Sequence, residues 1–355
     1  MDIILTYILL IGYIGFMIYS ANQAELHKYT SATPETASRG SKALQTVQTM
    51  LYFITIITAL FSTLSILSLV MLPEFNTTLT IRTSDALIGG VFAVSFGVVS
   101  LTLIRSYRFR QRLARWIGTQ GAYDPNSIVH TVAGVLTLMM LTTQIVQFVV
   151  SGGTEGLIEN IESSGVDPRG IFFQMALQVA ASFLGVGYAI RRGTQSTFKR
   201  LGLRVPTTDD LKYGIGGGFG MLGVLYGLGI ILTIIQSAMN TTSIEEANAA
   251  NVALSSALAT LPMALLVSFC ASVGEEILFR GALQPIFGNV LISVIFVLLH
   301  TQSLFSFGII LLFIISIILG WIRNRASTTA AIIAHFIYNF MQLLLLIVAL
   351  ESGVI

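Results

Sequence analysis

Charge is scarce in this sequence. Of 355 residues only 10% are charged, while 54% are hydrophobic, and the mean hydropathy is +0.82. A soluble domain carries roughly 25% charged residues. Less than half that level, with apolar runs throughout, excludes the soluble globular class and indicates an integral membrane protein. The single cysteine, Cys270, excludes an internal disulfide and a cysteine-based zinc site. No basic stretch precedes the opening run "MDIILTYILLIGYIGFMIYS", so it reads as a retained span, although the "ANQA" that follows mimics a cleavage site. There is no H-E-x-x-H pair, no internal repeat and no low-complexity segment.

What is present is a series of apolar runs, each near the 17–25 residues that cross a bilayer. They cover 2–20, 47–73, 86–105, 130–150, 171–190, 213–236, 253–274, 285–301, 303–321 and 328–350. The expectation is an all-α polytopic membrane protein with about ten transmembrane helices. Alternating the segments between them places 17 of the 19 basic residues on one side, with only Arg82 and Arg169 opposite. By the positive-inside rule that side is cytoplasmic and both termini lie outside. The other side collects Glu155, Glu159, Glu162, Asp167, Glu245 and Glu246. The clusters "RSYRFRQRLAR" (105–115) and "RRGTQSTFKRLGLR" (191–204) read as orienting charge or contact with anionic lipid, not as a nucleic-acid surface. A change of character near residue 200 divides a five-span region, 1–200, from 201–355, where the candidate chemistry lies.

The string "GFGMLG" (218–223) fits G-x-G-x-x-G, but no strand precedes it. The pairs Gly214/Gly218, Gly216/Gly220 and Gly223/Gly227 are spaced for close helix packing in lipid.

Of 17 acidic residues, fifteen fall in loops and two, Glu275 and Glu276, stand at the end of an apolar run, in "GEEILFRG". Carboxylates inside a membrane segment are costly and are functional candidates by default. Glu276 and Arg280 are four apart, share a helix face and can neutralise each other. Glu275 is turned about 100° away. Without further context this is equally an interfacial salt bridge with a spare carboxylate. Of four histidines, His27 and His130 need no special account, whereas His300 ends the eighth run and His335 lies seven residues into the tenth. Asn339 and Gln342 follow on the face of His335. An amide and an imidazole together need polar partners in lipid and also suit a developing oxyanion. Cys270, in an apolar setting, reads as packing and not as a nucleophile.

Three strings together carry a resemblance. "EEILFR" fits E-E-x-x-x-R, "FVLLH" (296–300) fits F-x-x-x-H, and "HFIYN" (335–339) fits H-x-x-x-N. In this order, in C-terminal spans, they resemble the CPBP family, which holds the type II CAAX prenyl proteases and bacterial Abi proteins tied to bacteriocin processing or self-immunity. The resemblance covers about 200–350. It implies a helical bundle with an intramembrane polar cavity, an intramembrane endopeptidase in a prokaryotic plasma membrane, and a peptide or protein substrate that in the prenyl proteases is lipidated. It assigns Glu275 and His300 to activating water, and His335 and Asn339 to stabilising the oxyanion. Glu276 and Arg280 would support them.

Metal use stays open at this stage. One Glu and two His (Glu275, His300, His335) would suit zinc or another divalent ion, while a Glu base with His donors suffices for amide hydrolysis. The lack of a short-spaced ligand pair favours the second. A non-catalytic scaffold or immunity sensor keeping the same fold is the alternative to an enzyme. A proton-coupled transporter would want charged spans in both halves, and the first half has none. In a plain hairpin Glu275 and His300 would sit at opposite faces of the membrane. Their meeting therefore requires a seventh helix continuing past 280, or an eighth that is tilted, short or re-entrant.

Overall fold

The structure is a computed structural model and describes residues 3–30, 34–71, 83–239, 242–303 and 308–352. Arg82 and the side chains of Glu245 and Glu246, used above to orient the chain, lie outside what is described. The described residues are helical and contain no strand. The elements are α1 (Ile3–Thr30), α2 (Pro34–Met71), α3 (Thr83–Arg105), α4 (Tyr107–Ile117), α5 (Ile128–Val150), α6 (Gly153–Ser164), α7 (Pro168–Gly185), α8 (Thr194–Leu201), α9 (Thr208–Met239) and α10 (Thr242–Ala257). They continue with α11 (Leu261–Glu275), a π-helical stretch (Glu276–Leu283), α12 (Gln284–Phe287), α13 (Asn289–Leu299), α14 (Gly308–Arg325) and α15 (Thr328–Glu351).

Seven helical stretches among the described residues are long and apolar enough to cross a bilayer, rather than the ten read from sequence. They are Ser38–Leu69, Asp85–Arg105, Ile128–Val150, Thr208–Leu232, Leu261–Phe287, Gly308–Arg325 and Thr328–Glu351. The run at 2–20 falls in α1, and its side chains up to residue 7 lie outside what is described; the other differences have local causes. The run at 253–274 divides after α10, because Pro262 near the start of α11 cannot continue a preceding helix. The run at 171–190 ends as α7 at Gly185, where Gly187 and Ala189 turn the backbone to positive φ. The run at 285–301 yields only the 11-residue α13. Large apolar side chains such as Phe61, Leu87 and Ile230 face outward, as a lipid-facing surface requires.

One end of the bundle gathers the basic loops. Thr328 N donates to Gly202 O and Arg204 N to Thr329 Oγ1, so α9 and α15 start together. They run side by side because Gly214 and Gly218 let them approach. A Cβ at either glycine would meet Ile333 or Ile337 at 2.8 Å. Gly216, Gly220, Gly223 and Gly227 face open space, so only the first of the three predicted pairs packs. The main hydrophobic core joins Met17, Leu51 and Val132 to Phe279, Phe287 and Phe296, so packing crosses residue 200.

Candidate active site

The site is built around an irregular helix. Leu261–Phe287 is continuous, but its middle is π-helical, and Gln284 N donates to Phe279 O, five residues back. The sequence explains the slip. Pro285 has no N–H to give Gly281 O. That carbonyl instead accepts from Arg200 Nη1 at 2.9 Å, with Ala282 O accepting from Nη2 at 3.4 Å. Single π turns of this kind recur at functional sites. At the start of the quoted stretch, Gly274 lets α7 approach: a Cβ there would run into Gln178 and the Met175 backbone.

The expected irregularity is therefore met in both of its forms, a long seventh helix and a short eighth. At 1.5 Å per residue, Glu276 lies about 16 Å above the end of its helix at Phe287, His300 about 16 Å above the start of α13, and His335 about 10 Å above the start of α15. All three ends belong to the Arg-rich side of the bundle. Groups far apart in a plain hairpin are thus brought together: His335 bonds Glu276, and Phe296 lies against both His300 and His335.

Glu276 and Arg280 are fully buried, and His335 nearly so. Glu276 Oε2 accepts from Arg280 Nε at 3.2 Å, and Oε1 accepts from His335 Nδ1 at 2.9 Å. Arg280 also donates from Nη2 to Ser316 Oγ at 2.7 Å and from Nη1 to Gln284 Oε1 at 3.4 Å. Gln284 Nε2 in turn reaches Gly320 O and Asn324 Oδ1 at 2.9 and 3.1 Å. A buried charge pair is tolerable only with such additional bonds. The Phe296 ring lies under Arg280 at 5.5 Å, against His300 at 4.5 Å and against His335 at 6.4 Å.

Beside this network is a cavity of about 840 Å³ lined by Glu275, His300, His335, Asn339, Tyr338 and Gln342, among apolar residues. His300 Nδ1 donates to Phe296 O at 2.8 Å, which leaves Nε2 as the basic nitrogen of the neutral ring. Glu275 is half-buried and makes no side-chain hydrogen bond among the described residues; the same holds for Asn339. The six residues singled out from sequence thus divide. Glu275, His300, His335 and Asn339 share the cavity, Glu276 and Arg280 stand behind it, and His335 belongs to both sets.

Among the described residues no three His, Cys, Asp or Glu side chains form a group that could hold a metal ion. Nδ1 of His335 is given to Glu276 and that of His300 to a carbonyl, which leaves Nε2 of each ring, the nitrogen that either a water or a metal ion would use. Sequence reasoning missed Gln284, Ser316 and Asn324. Their signal was weak: lone neutral polar residues in apolar surroundings, with Gln284 continuing the four-residue spacing of Glu276 and Arg280. Cys270 is buried, as a packing residue would be.

Residues 257–341 match the family model described as "Rce1-like: Type II CAAX prenyl endopeptidase Rce1-like". No curated protein and no solved structure matches the chain.

Proposed function

We infer, from the match of residues 257–341 of this integral membrane protein to the CAAX prenyl endopeptidase model, that the chain hydrolyses a peptide bond within the bilayer. The observation that carries the reading is the single cavity lined by Glu275, His300, His335 and Asn339. Glu275 serves as general base: it lines the cavity with no competing hydrogen bond among the described residues. His300 Nε2 helps to orient the water. A carboxylate and an imidazole positioned on one water contribute roughly 10²–10⁴ in rate.

The tetrahedral intermediate places negative charge on the carbonyl oxygen. Asn339 donates to it through its amide. His335 donates through Nε2, and Glu276 on Nδ1 fixes the ring and balances the charge that a second ring proton brings. Arg280 balances Glu276 in its turn. Prepared donors in a water-poor site are the largest contributors to such reactions. The Arg-rich end is taken as cytoplasmic, which sets the cleavage near that face and the termini outside. The substrate is a peptide or protein segment; a lipid-modified one suits a site open to apolar surroundings.

The test is substrate trapping. Glu275→Gln chains and wild type are expressed in the same membranes, and bound and cleaved peptides are identified by mass spectrometry. The proposal expects peptides held by the variant that wild type converts. Identical peptide profiles from both, with the protein's effect on the cell retained, would sink the protease reading in favour of a scaffold.

A further inference from the structure

A second cavity lies on the other side of the same helix. It measures about 450 Å³ and runs between α1, α5, α7 and the π-helical stretch, with Leu278, Ala282, Leu283 and Ile286 as one wall. Its two ends differ in chemistry. At the Arg-rich end stand Arg191, Arg192, Arg200, His130, Glu25 and Asp124. Further in, the lining is Ile14, Ile18, Leu136, Met139 and Met140. Along α1 from Glu25 to Ile14, and along α5 from Ser127 to Met140, the cavity extends roughly 16–20 Å into the bundle. A charged mouth at the bilayer surface and an apolar shaft reaching into its depth have the profile of a lipid.

The mouth is built, not incidental. Arg191 Nε donates to Asn22 Oδ1 at 2.7 Å, and Asn22 Nδ2 is tied to Ile18 O and Leu184 O, both at 3.0 Å. Arg192 is fixed on Val186 O. Arg200 is held on Gly281 O. Burial, then the crowding of Arg192, Arg323 and Arg191 beside it, pulls the Arg200 guanidinium down to about 10. His130 Nδ1 accepts from Asp124 N at 2.9 Å, so its Nε2 carries the ring proton and adds a donor. Against these stands one unmet acceptor. Glu25 is only 4% exposed, and its Oε2 has no hydrogen-bond partner. A buried carboxylate oxygen without a donor is costly and points to a missing cationic group.

We propose that this cavity binds one membrane phospholipid with a primary-amine headgroup: the arginines and His130 Nε2 take the phosphate, Glu25 takes the ammonium, and one acyl chain fills the shaft along Met139 and Met140. Guanidinium groups recognise phosphate through paired, charge-assisted bonds, and a carboxylate beside them selects an aminophospholipid over one whose headgroup is only anionic. The lipid would press on the back of the helix that carries Glu276 and Arg280. The claim is independent of the catalytic reading, because occupancy is measured without any substrate.

The experiment uses the full chain purified in detergent and native mass spectrometry, titrating phosphatidylethanolamine, phosphatidylglycerol and the chain-free headgroup phosphoethanolamine. Wild type is expected to hold one phosphatidylethanolamine and to prefer it to phosphatidylglycerol by about tenfold, the effect of one charge-assisted bond. Glu25→Gln should bring that preference close to one while still binding both lipids. Met140→Trp, which fills the shaft and leaves the mouth intact, should abolish retention of both. If Glu25→Gln fails to fold, Met140→Trp and the wild-type lipid preference still decide. Equal affinity for the two lipids, displacement by phosphoethanolamine at the concentrations effective for the lipid, or recovery of a peptide in place of a lipid would overturn the proposal.

Discussion

Asp210 and Glu276 are both carboxylates with no accessible surface and an arginine for a partner, yet they are built for different ends. Asp210 lies at the rim of the bundle. Its oxygens accept from Arg204 Nε and Nη2, Thr207 N and Oγ1, and Ser327 Oγ. Every donor there is fixed, Arg204 is 47% exposed, and the result ties the starts of α9 and α15 together. Glu276 lies deep, has two donors, and one of them is an imidazole at the edge of a cavity. The same pairing makes a latch when its donors are many and inert. It makes chemistry available when a donor can exchange a proton and a reactant can reach it.

The sharpest way to break this comparison is Glu276→Gln. The change keeps the shape but leaves Arg280 as a buried cation without its counter-charge, which costs about 3–5 kcal/mol. Thermal unfolding in detergent should drop accordingly, and peptide hydrolysis should vanish with it. A variant that melts with wild type would mean that Glu276 and Arg280 are as dispensable as a surface pair.

Its neighbour should behave in the opposite way. Glu275→Gln should lower the hydrolysis rate by roughly 10²–10⁴ while leaving the melting temperature where it was, because Glu275 makes no bond that the fold uses. Loss of stability without loss of rate would exchange the roles given to the two carboxylates. Next in size is Ser316→Ala. It removes the 2.7 Å acceptor of Arg280 Nη2, and a buried bond to a charged group is worth about 1.5–3 kcal/mol. Stability should fall by that much, with a smaller loss of rate.

How much of this was legible in the sequence follows from the same contrast. Charges are rare enough in the chain that Glu275, Glu276 and Arg280 identify themselves, and the spacing of four already pairs Glu276 with Arg280. The membrane class and helical fold follow from composition and run length. What the sequence did not disclose is how helices end and slip. Apolar runs do not mark the break at Pro262, the shortness of α13 or the π turn, because each depends on which carbonyl finds a donor, and Arg200 supplies that donor from about eighty residues away. The tie between Glu276 and His335 was hidden for a related reason. Helical spacing reports neighbours within one helix, and α15 meets the π turn only through tertiary packing. Ser316 and Gln284 were illegible because a neutral polar side chain in an apolar run has no distinguishing charge.

The smallest expected effect tests the latch. Ser327 caps α15 by accepting from Ala330 N at 3.1 Å, and its hydroxyl also donates to Asp210. Ser327→Ala loses both, at a cost near that of an N-cap, about 1–2 kcal/mol. Asp210 keeps four other donors, so no buried charge is left unmet, and His335 sits about 10 Å further along α15. Stability measured by thermal unfolding should fall slightly and the rate of hydrolysis should hold. If the rate fell with the stability, the rim would not be a separate latch, and the position of His335 would depend on how α15 begins.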